Sequence, residues 1–367
     1  MFLVSFVNIL QVSVVTLVIF GLAVFANQPT HRRFSVMLGL IALAAVFNLL
    51  EELNITREWY LVTPIFVFGF GPATYLTVQE FTGKQLDSKD WLHLLPMLFA
   101  LPFTMYPQWV IAAGTLSRLI YALLSLNLLR LFHKELVKQR SDADELSLRW
   151  LFWLVIIFTL VIVMDHVRLN LQPYISHEIN VFGQGVSTLA GLFFIGVLLY
   201  QLIVNASVWG LRNELYLDGA SSGNSLENSS ERKDSTDIGN LSGATTVSSV
   251  SNEDELAFYS SIFKQLEHSI LANNWHCTPR LTLQKLSELS GIATRDISRA
   301  VNLENKSNFN DYINGLRVEE VCKQIQAQPK RTLLELAIDS GFTSKSTFNQ
   351  AFKAVKGITP SSFKNQL

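Results

Sequence analysis

The chain has 367 residues, room for two or three domains. Hydrophobic residues make up 49% and charged residues 16%, which excludes a protein that is soluble and ordinary throughout. The net charge of −1 conceals a division: residues 1–210 carry 12 basic and 12 acidic side chains, 211–255 carry 3 and 9, and 256–367 carry 14 and 9. The cationic excess therefore sits at the C-terminal end, where a polyanionic partner would be sought.

Seven apolar stretches are long enough, or nearly so, to cross a bilayer core of ~30 Å as helices. They lie near 2–26, 34–53, 59–81, 91–107, 110–132, 149–168 and 181–204. The first lacks a basic leading region and is too long for a signal-peptide core, so it reads as a span. The fourth is short and contains Pro96 and Pro102. Basic residues set the orientation. With the N-terminus outside, inner loops carry Arg32, Arg33, Lys84, Lys89, Arg130, Lys134, Lys138, Arg140, Arg149 and Arg212, against Arg57 and Arg168 outside. Seven spans then leave the C-terminus in the cytoplasm.

Ionisable residues within a bilayer are costly and need a reason. Glu51 and Glu52 end the second span, Arg118 lies inside the fifth, and Asp165, His166 and Arg168 end the sixth. All fall towards the outer face, with Asn48 and Gln184 at similar depth. One reading is a polar pocket for a small-molecule or membrane signal, built on Glu51, Arg118, Asp165 and His166. The other is an Arg118–Asp165 ion pair, with the remaining polar groups reaching the headgroups.

Residues 211–254 are rich in Ser, Asn, Gly and acidic side chains and poor in aromatics, the composition of a linker that cannot bury enough surface to fold. About 40 such residues reach ~35 Å. Helical period resumes through Leu256, Phe258, Ile262, Phe263, Leu266 and Ile270, opening a domain over 255–367.

That domain repeats a pattern. Leu283, Leu286 and Leu289 recur at helical spacing, Gly291 supplies a turn, and Thr294 begins a helix with Ile297 and Val301 on its inner face. Leu333, Leu336 and Ala337 mark a second helix before Gly341, and Phe348 and Phe352 the inner face of the next. Leu286 and Gly291 match Leu336 and Gly341 at an offset of 50, while Ile297 and Val301 match Phe348 and Phe352 at 51, one residue more in the second turn. The outer faces offer Thr294, Arg295, Ser298, Arg299 and Asn302, then Ser344, Lys345, Ser346, Asn349, Gln350 and Lys353. Short hydrogen-bonders and cations of this kind read base edges and hold phosphates. A connecting helix over 309–328 would span ~30 Å, near the ~34 Å turn of B-DNA, so both outer faces could enter successive major grooves.

The stretch resembles the C-terminal domain of the AraC/XylS family of bacterial transcription regulators. The resemblance is carried by Ile297-Ser298-Arg299, Tyr312-Ile313-Asn314 with Leu316-Arg317, Gly341-Phe342-Thr343-Ser344, Phe348, Phe352-Lys353, and Gly357-Ile358-Thr359-Pro360 with Phe363. Val301-Asn302 replaces the usual Phe-Lys, Lys306 stands where the family has Gly, and Gln350 where a basic residue is common. Gly69-Phe70-Gly71-Pro72 with Tyr75, and Leu94-Leu95-Pro96, resemble the less specific pattern of membrane-embedded, multi-span members. The resemblance implies double-stranded DNA as partner, no cofactor, and no catalytic activity.

The expectation is thus an all-α protein of the bacterial inner membrane: a seven-helix bundle over 1–210, the linker, and a tandem helix-turn-helix domain in the cytoplasm. Its partners are DNA, the bilayer, a signal and a second copy of itself. Coupling through a slack linker favours control by dimerisation or clustering. The alternative is a receptor or transporter-like protein whose DNA-binding tail is secondary or released by proteolysis. No phosphate-binding Gly loop, metal pattern or nucleophile motif occurs in the sequence, and Cys277 and Cys322 suit no zinc site.

Overall fold

The computed structural model describes residues 6–53, 55–56, 61–84, 87–204 and 252–367. The linker up to residue 251, Arg57 and Arg212 lie outside the described residues. Among those described, the elements are helical and no strand occurs; the one isolated bridge pairs Arg140 with Thr282. In chain order the helices are α1 (Phe6–Phe25), α2 (Arg32–Glu52), α3 (Phe66–Phe81), α4 (Leu95–Phe99), α5 (Pro107–Gln139), α6 (Ala143–Leu146), α7 (Arg149–Leu171), α8 (His177–Val204), α9 (Asn252–Ala272), α10 (Leu283–Ser290), α11 (Thr294–Glu304), α12 (Phe309–Ala327), α13 (Leu333–Asp339), α14 (Lys345–Lys356) and α15 (Pro360–Asn365).

Two compact units emerge. The first is Met1–Arg130 with Leu148–Arg232, the second Leu131–Ser147 with Lys233–Leu367. The inclusion of 131–147 in the second unit departs from the boundary expected at residue 210.

In the first unit α1 packs on α2 and α8, α2 on α3, and α7 on α8. Among the described residues, five helices are long and apolar enough to cross a membrane, where the sequence pattern suggests seven spans. The third apolar stretch yields only the 16-residue α3, preceded by a tight turn at Thr63–Ile65. The fourth breaks into short pieces, Ser88–Leu94, Leu95–Phe99 and Leu101–Phe103. Pro96 and Pro102 each start a new piece, because proline lacks the N–H a continuing helix needs.

Polar contacts tie both ends of α2 to α3 or the segments that flank it. At one end the buried Arg33 donates to Lys84 O at 2.8 Å and to Asp90 Oδ2 at 2.5 Å, while its backbone N–H reaches Glu80 Oε2 at 2.7 Å. At the other, Glu51 Oε1 accepts from the N–H groups of Val62 and Thr63 at 2.7 and 2.8 Å. A Cβ at Gly71 would stand 3.0 Å from Arg118 Cα, so glycine lets α3 and α5 approach at the depth of Arg118. Outward positions stay apolar: Ile19, Leu123, Ile157, Leu160 and Phe193 are exposed.

The second unit has two cores joined by α12. Phe309, Tyr312 and Ile313 pack with Leu266, Ile270, Leu281, Leu286, Ile297 and Val301. Val318, Val321, Cys322 and Ile325 pack with Leu336, Phe342, Phe348 and Phe352. The caps expected of such short helices are in place: Thr282 accepts from Lys285 N–H, Asn308 from Asp311 N–H, Ser344 from Thr347 N–H, and Thr332 forms a reciprocal box with Glu335.

Candidate nucleic-acid interface and a buried polar cavity

In the second unit, the starts of α10 and α13 are 50 residues apart and those of α11 and α14 are 51 apart, as the sequence pattern requires. Gly291 closes α10 at φ 70°, and Gly341 takes φ 92°. A side chain at 341 would also strike Cys277 O at 2.7 Å, so glycine is demanded twice over there.

Ile297 and Val301 turn α11 inward, and Phe348 and Phe352 do so for α14. Their opposite faces leave Thr294, Arg295 and Asn302, and Lys345, Ser346, Asn349, Gln350 and Lys353, exposed. Ser298 and Ser344 are half-buried. Two residues are engaged within the unit. Ser344 is the N-cap of α14, its Oγ 3.1 Å from Thr347 N. Arg299 pairs with Glu255 at 2.5 Å and lies 5.4 Å from the Tyr259 ring centroid, both on α9. Periodicity could place Arg299 outward but carried no sign of α9 beside it.

Arg317 is 1% exposed. It donates to His276 O at 2.7 Å, Thr278 O at 2.8 Å and Asn314 Oδ1 at 3.1 Å. Burial pulls its pKa down to about 10, with Asp142 opposing, so it stays cationic at neutral pH. Lys306 takes φ 49°, the left-handed conformation that the resembled family meets with glycine.

Residues 286–366 match a helix-turn-helix domain family of the AraC type. The match supports a DNA-binding transcription regulator. No curated protein and no solved structure matches the chain.

The first unit holds a cavity of about 640 Å³. Its lining includes all four residues expected of a signal pocket, Glu51, Arg118, Asp165 and His166, together with Asn48, Glu52, Arg168 and Gln184. The expected Arg118–Asp165 ion pair is replaced. Asp165 Oδ1 accepts from Arg168, at 2.9 Å from Nε and 2.8 Å from the terminal nitrogen, because one helical turn brings that guanidinium within reach. Arg118 instead lies 5.0 Å from the Phe70 ring centroid. Glu52 Oε1 accepts from Gln11 and Gln184 at 3.1 and 2.6 Å. His166 Nδ1 donates to Ile162 O at 2.7 Å, while its Nε2 and Gln11 Oε1 are buried and have no hydrogen-bond partner among the described residues. Gln11 was not anticipated; a long amide side chain in a predominantly apolar helix is the signal that could have pointed to it.

Proposed function

We propose that the chain is a membrane-tethered, one-component transcription regulator. Its first unit crosses a bilayer and holds a signal in the polar cavity; its second reads DNA with two helix-turn-helix units. The carrying observation is the AraC-type match over 286–366. It falls on helices whose outer faces expose Arg295, Asn302, Lys345, Asn349, Gln350 and Lys353.

Our reading is seven passes, although among the described residues five helices are long and apolar enough to cross a membrane. The Arg33–Glu80–Asp90 contacts and the Glu51–Thr63 contacts put α2 and the 63–81 segment end to end in opposite directions. The broken 88–103 segment starts beside Arg33 through Asp90. It leads to Pro107, which lines the cavity with Glu51. Both segments therefore cover the depth that α2 covers. Exposed Leu123, Leu160 and Phe193 suit lipid contact. The basic residues of the loops favour an N-terminus outside and a DNA-binding unit in the cytoplasm.

The cavity suits a ligand that is mostly apolar with a few polar atoms. Arg118, His166 Nε2 and Gln11 Oε1 supply the groups to meet them.

Duplex binding by the full-length protein, measured against salt, tests the DNA reading. Alanine at Lys345 or Lys353 should weaken binding across sequences and lower the salt slope by about one if the side chain meets phosphate. Asn349 and Gln350 variants should change which genomic sites are captured. Reporter fusions at the C-terminus test the topology; activity only on the outer side of the membrane rejects the tethered-regulator reading.

A further inference from the structure

The second unit contains a segment that the sequence assigns to a loop between apolar stretches, residues 131–147. Within it Ser141, Asp142, Ala143 and Leu146 are buried. The contacts are specific. Arg140 bridges to Thr282, and Ser141 N–H donates to Leu281 O at 3.1 Å. The amides of Asn310 and Asn314 on α12 donate to Arg140 O and Ser141 O, each at 3.1 Å. Thr343 Oγ1 donates to Glu145 Oε1 at 2.7 Å. Arg140 folds back on Asp142 at 2.7 and 2.9 Å, while Glu145 directs its carboxylate to Thr343. Asp144 faces Asp311, whose pKa rises chiefly through burial and further through Asp144.

The placement of Glu145 gives the docking a consequence. Thr343 immediately precedes Ser344, the N-cap of α14. The N-terminal turn of a reading helix is where DNA phosphates approach backbone N–H groups. A carboxylate held there repels them. The same segment is continuous in the chain with α5 on one side and α7 on the other, and Arg118 and Asp165 of the cavity lie on those helices.

We propose that residues 140–146 are an intramolecular acidic ligand of the DNA-binding unit, seated on Leu281, Asn310, Asn314 and Thr343. Their undocking raises DNA affinity. This rests on the DNA reading above and gives it a route of control. The segment is joined directly to α5 and α7, so a shift of one against the other acts on it through the chain. Docked segment and DNA exclude each other, and each therefore weakens the other's binding by the same factor.

The test uses the full-length protein in detergent and a pool of mixed-sequence genomic duplexes at low salt. Two variants are compared with wild type: Glu145→Ala, and the double variant Arg140→Cys with Thr282→Cys. Bridge partners lie at a separation that a disulfide can close. Glu145→Ala should bind about fivefold tighter or more. The oxidised double variant should bind about fivefold more weakly than its own reduced form. Failure of the disulfide to form under oxidant, or equal binding by wild type, Glu145→Ala and both redox forms, overturns the docking inference and leaves the DNA reading standing. Tighter binding by the oxidised form also overturns it. Absence of duplex binding by every form rejects the DNA reading itself, and the inference with it.

Discussion

Arg317 in the second unit and Arg118 in the first are both drawn out of water, but their surroundings differ. Arg317 is saturated: two backbone carbonyls and an amide oxygen accept from it, and the Phe342 ring lies 5.8 Å away. Arg118 stands on the wall of a cavity over the Phe70 ring, while Asp165 on the same wall is held by Arg168. A saturated cation fixes one geometry, and a cation facing space is available to something that enters. The lining of that cavity also holds the buried Gln11 Oε1 and His166 Nε2, which have no hydrogen-bond partner among the described residues.

The largest test of that contrast is removal of Arg317. Arg317→Met strips three acceptors, including His276 O and Thr278 O, of their donor. The loss should cost about 3–5 kcal/mol, as for a broken buried charge network. Full-length protein should show rapid proteolysis within 252–367 while the first unit persists. Survival of the second unit at wild-type resistance would break the contrast from one side.

Much of the second unit was legible because its helices are amphipathic. Leu286, Ile297, Phe348 and Phe352 announce their faces by period, and Gly291 and Gly341 announce their turns. The first unit was less so. Helices apolar all round give a number of stretches but not their pairing. The broken 88–103 segment and the short α3 show the limit: hydropathy counts residues, and proline decides whether they form one helix. The pocket residues were legible as a group, since charge inside an apolar run is conspicuous. The switch of Asp165 from Arg118 to Arg168 was not, because spacing along one helix and proximity across two compete and only packing settles it. Docking of 140–146 left no trace in the pattern: its strongest contacts use backbone carbonyls, which every residue has.

Arg118→Ala addresses the other side. Little in the first unit depends on its guanidinium, so protein level should hold. Transcription from a promoter found by genome-wide capture should change by about fivefold or more, the scale of a coupling between distinct sites. Unchanged transcription at unchanged protein level would remove the cavity from the control of DNA binding.

A smaller effect sharpens the account of the second unit. Lys306 adopts φ 49° with no glycine to ease it. Lys306→Gly removes the strain at the cost of a more flexible unfolded chain, for a net gain of about 0.5–1 kcal/mol. Thermal unfolding of the second unit in the full-length protein reads this directly. A loss of stability would mean that the lysine side chain contributes more than its backbone costs.

The smallest expected effect concerns Arg299, the one predicted DNA-contacting cation that is tied down within its own unit. Glu255 and Tyr259 hold it from α9 at 2.5 and 5.4 Å. Both partners are roughly half exposed, 48% and 41% for arginine and glutamate, so the pair contributes no more than about 0.5–1 kcal/mol. If Arg299 meets a DNA phosphate, that phosphate competes with Glu255 for the guanidinium. Glu255→Gln should therefore tighten duplex binding about twofold to threefold at low salt, within that range. The gain should shrink as salt rises, since screening weakens the pair and the phosphate contact alike. Arg299→Ala in the Glu255→Gln background should erase it. If Glu255→Gln binds as wild type while Arg299→Ala binds worse, α9 does not restrain the reading face. Control of DNA binding would then pass through the acidic segment at α14 alone.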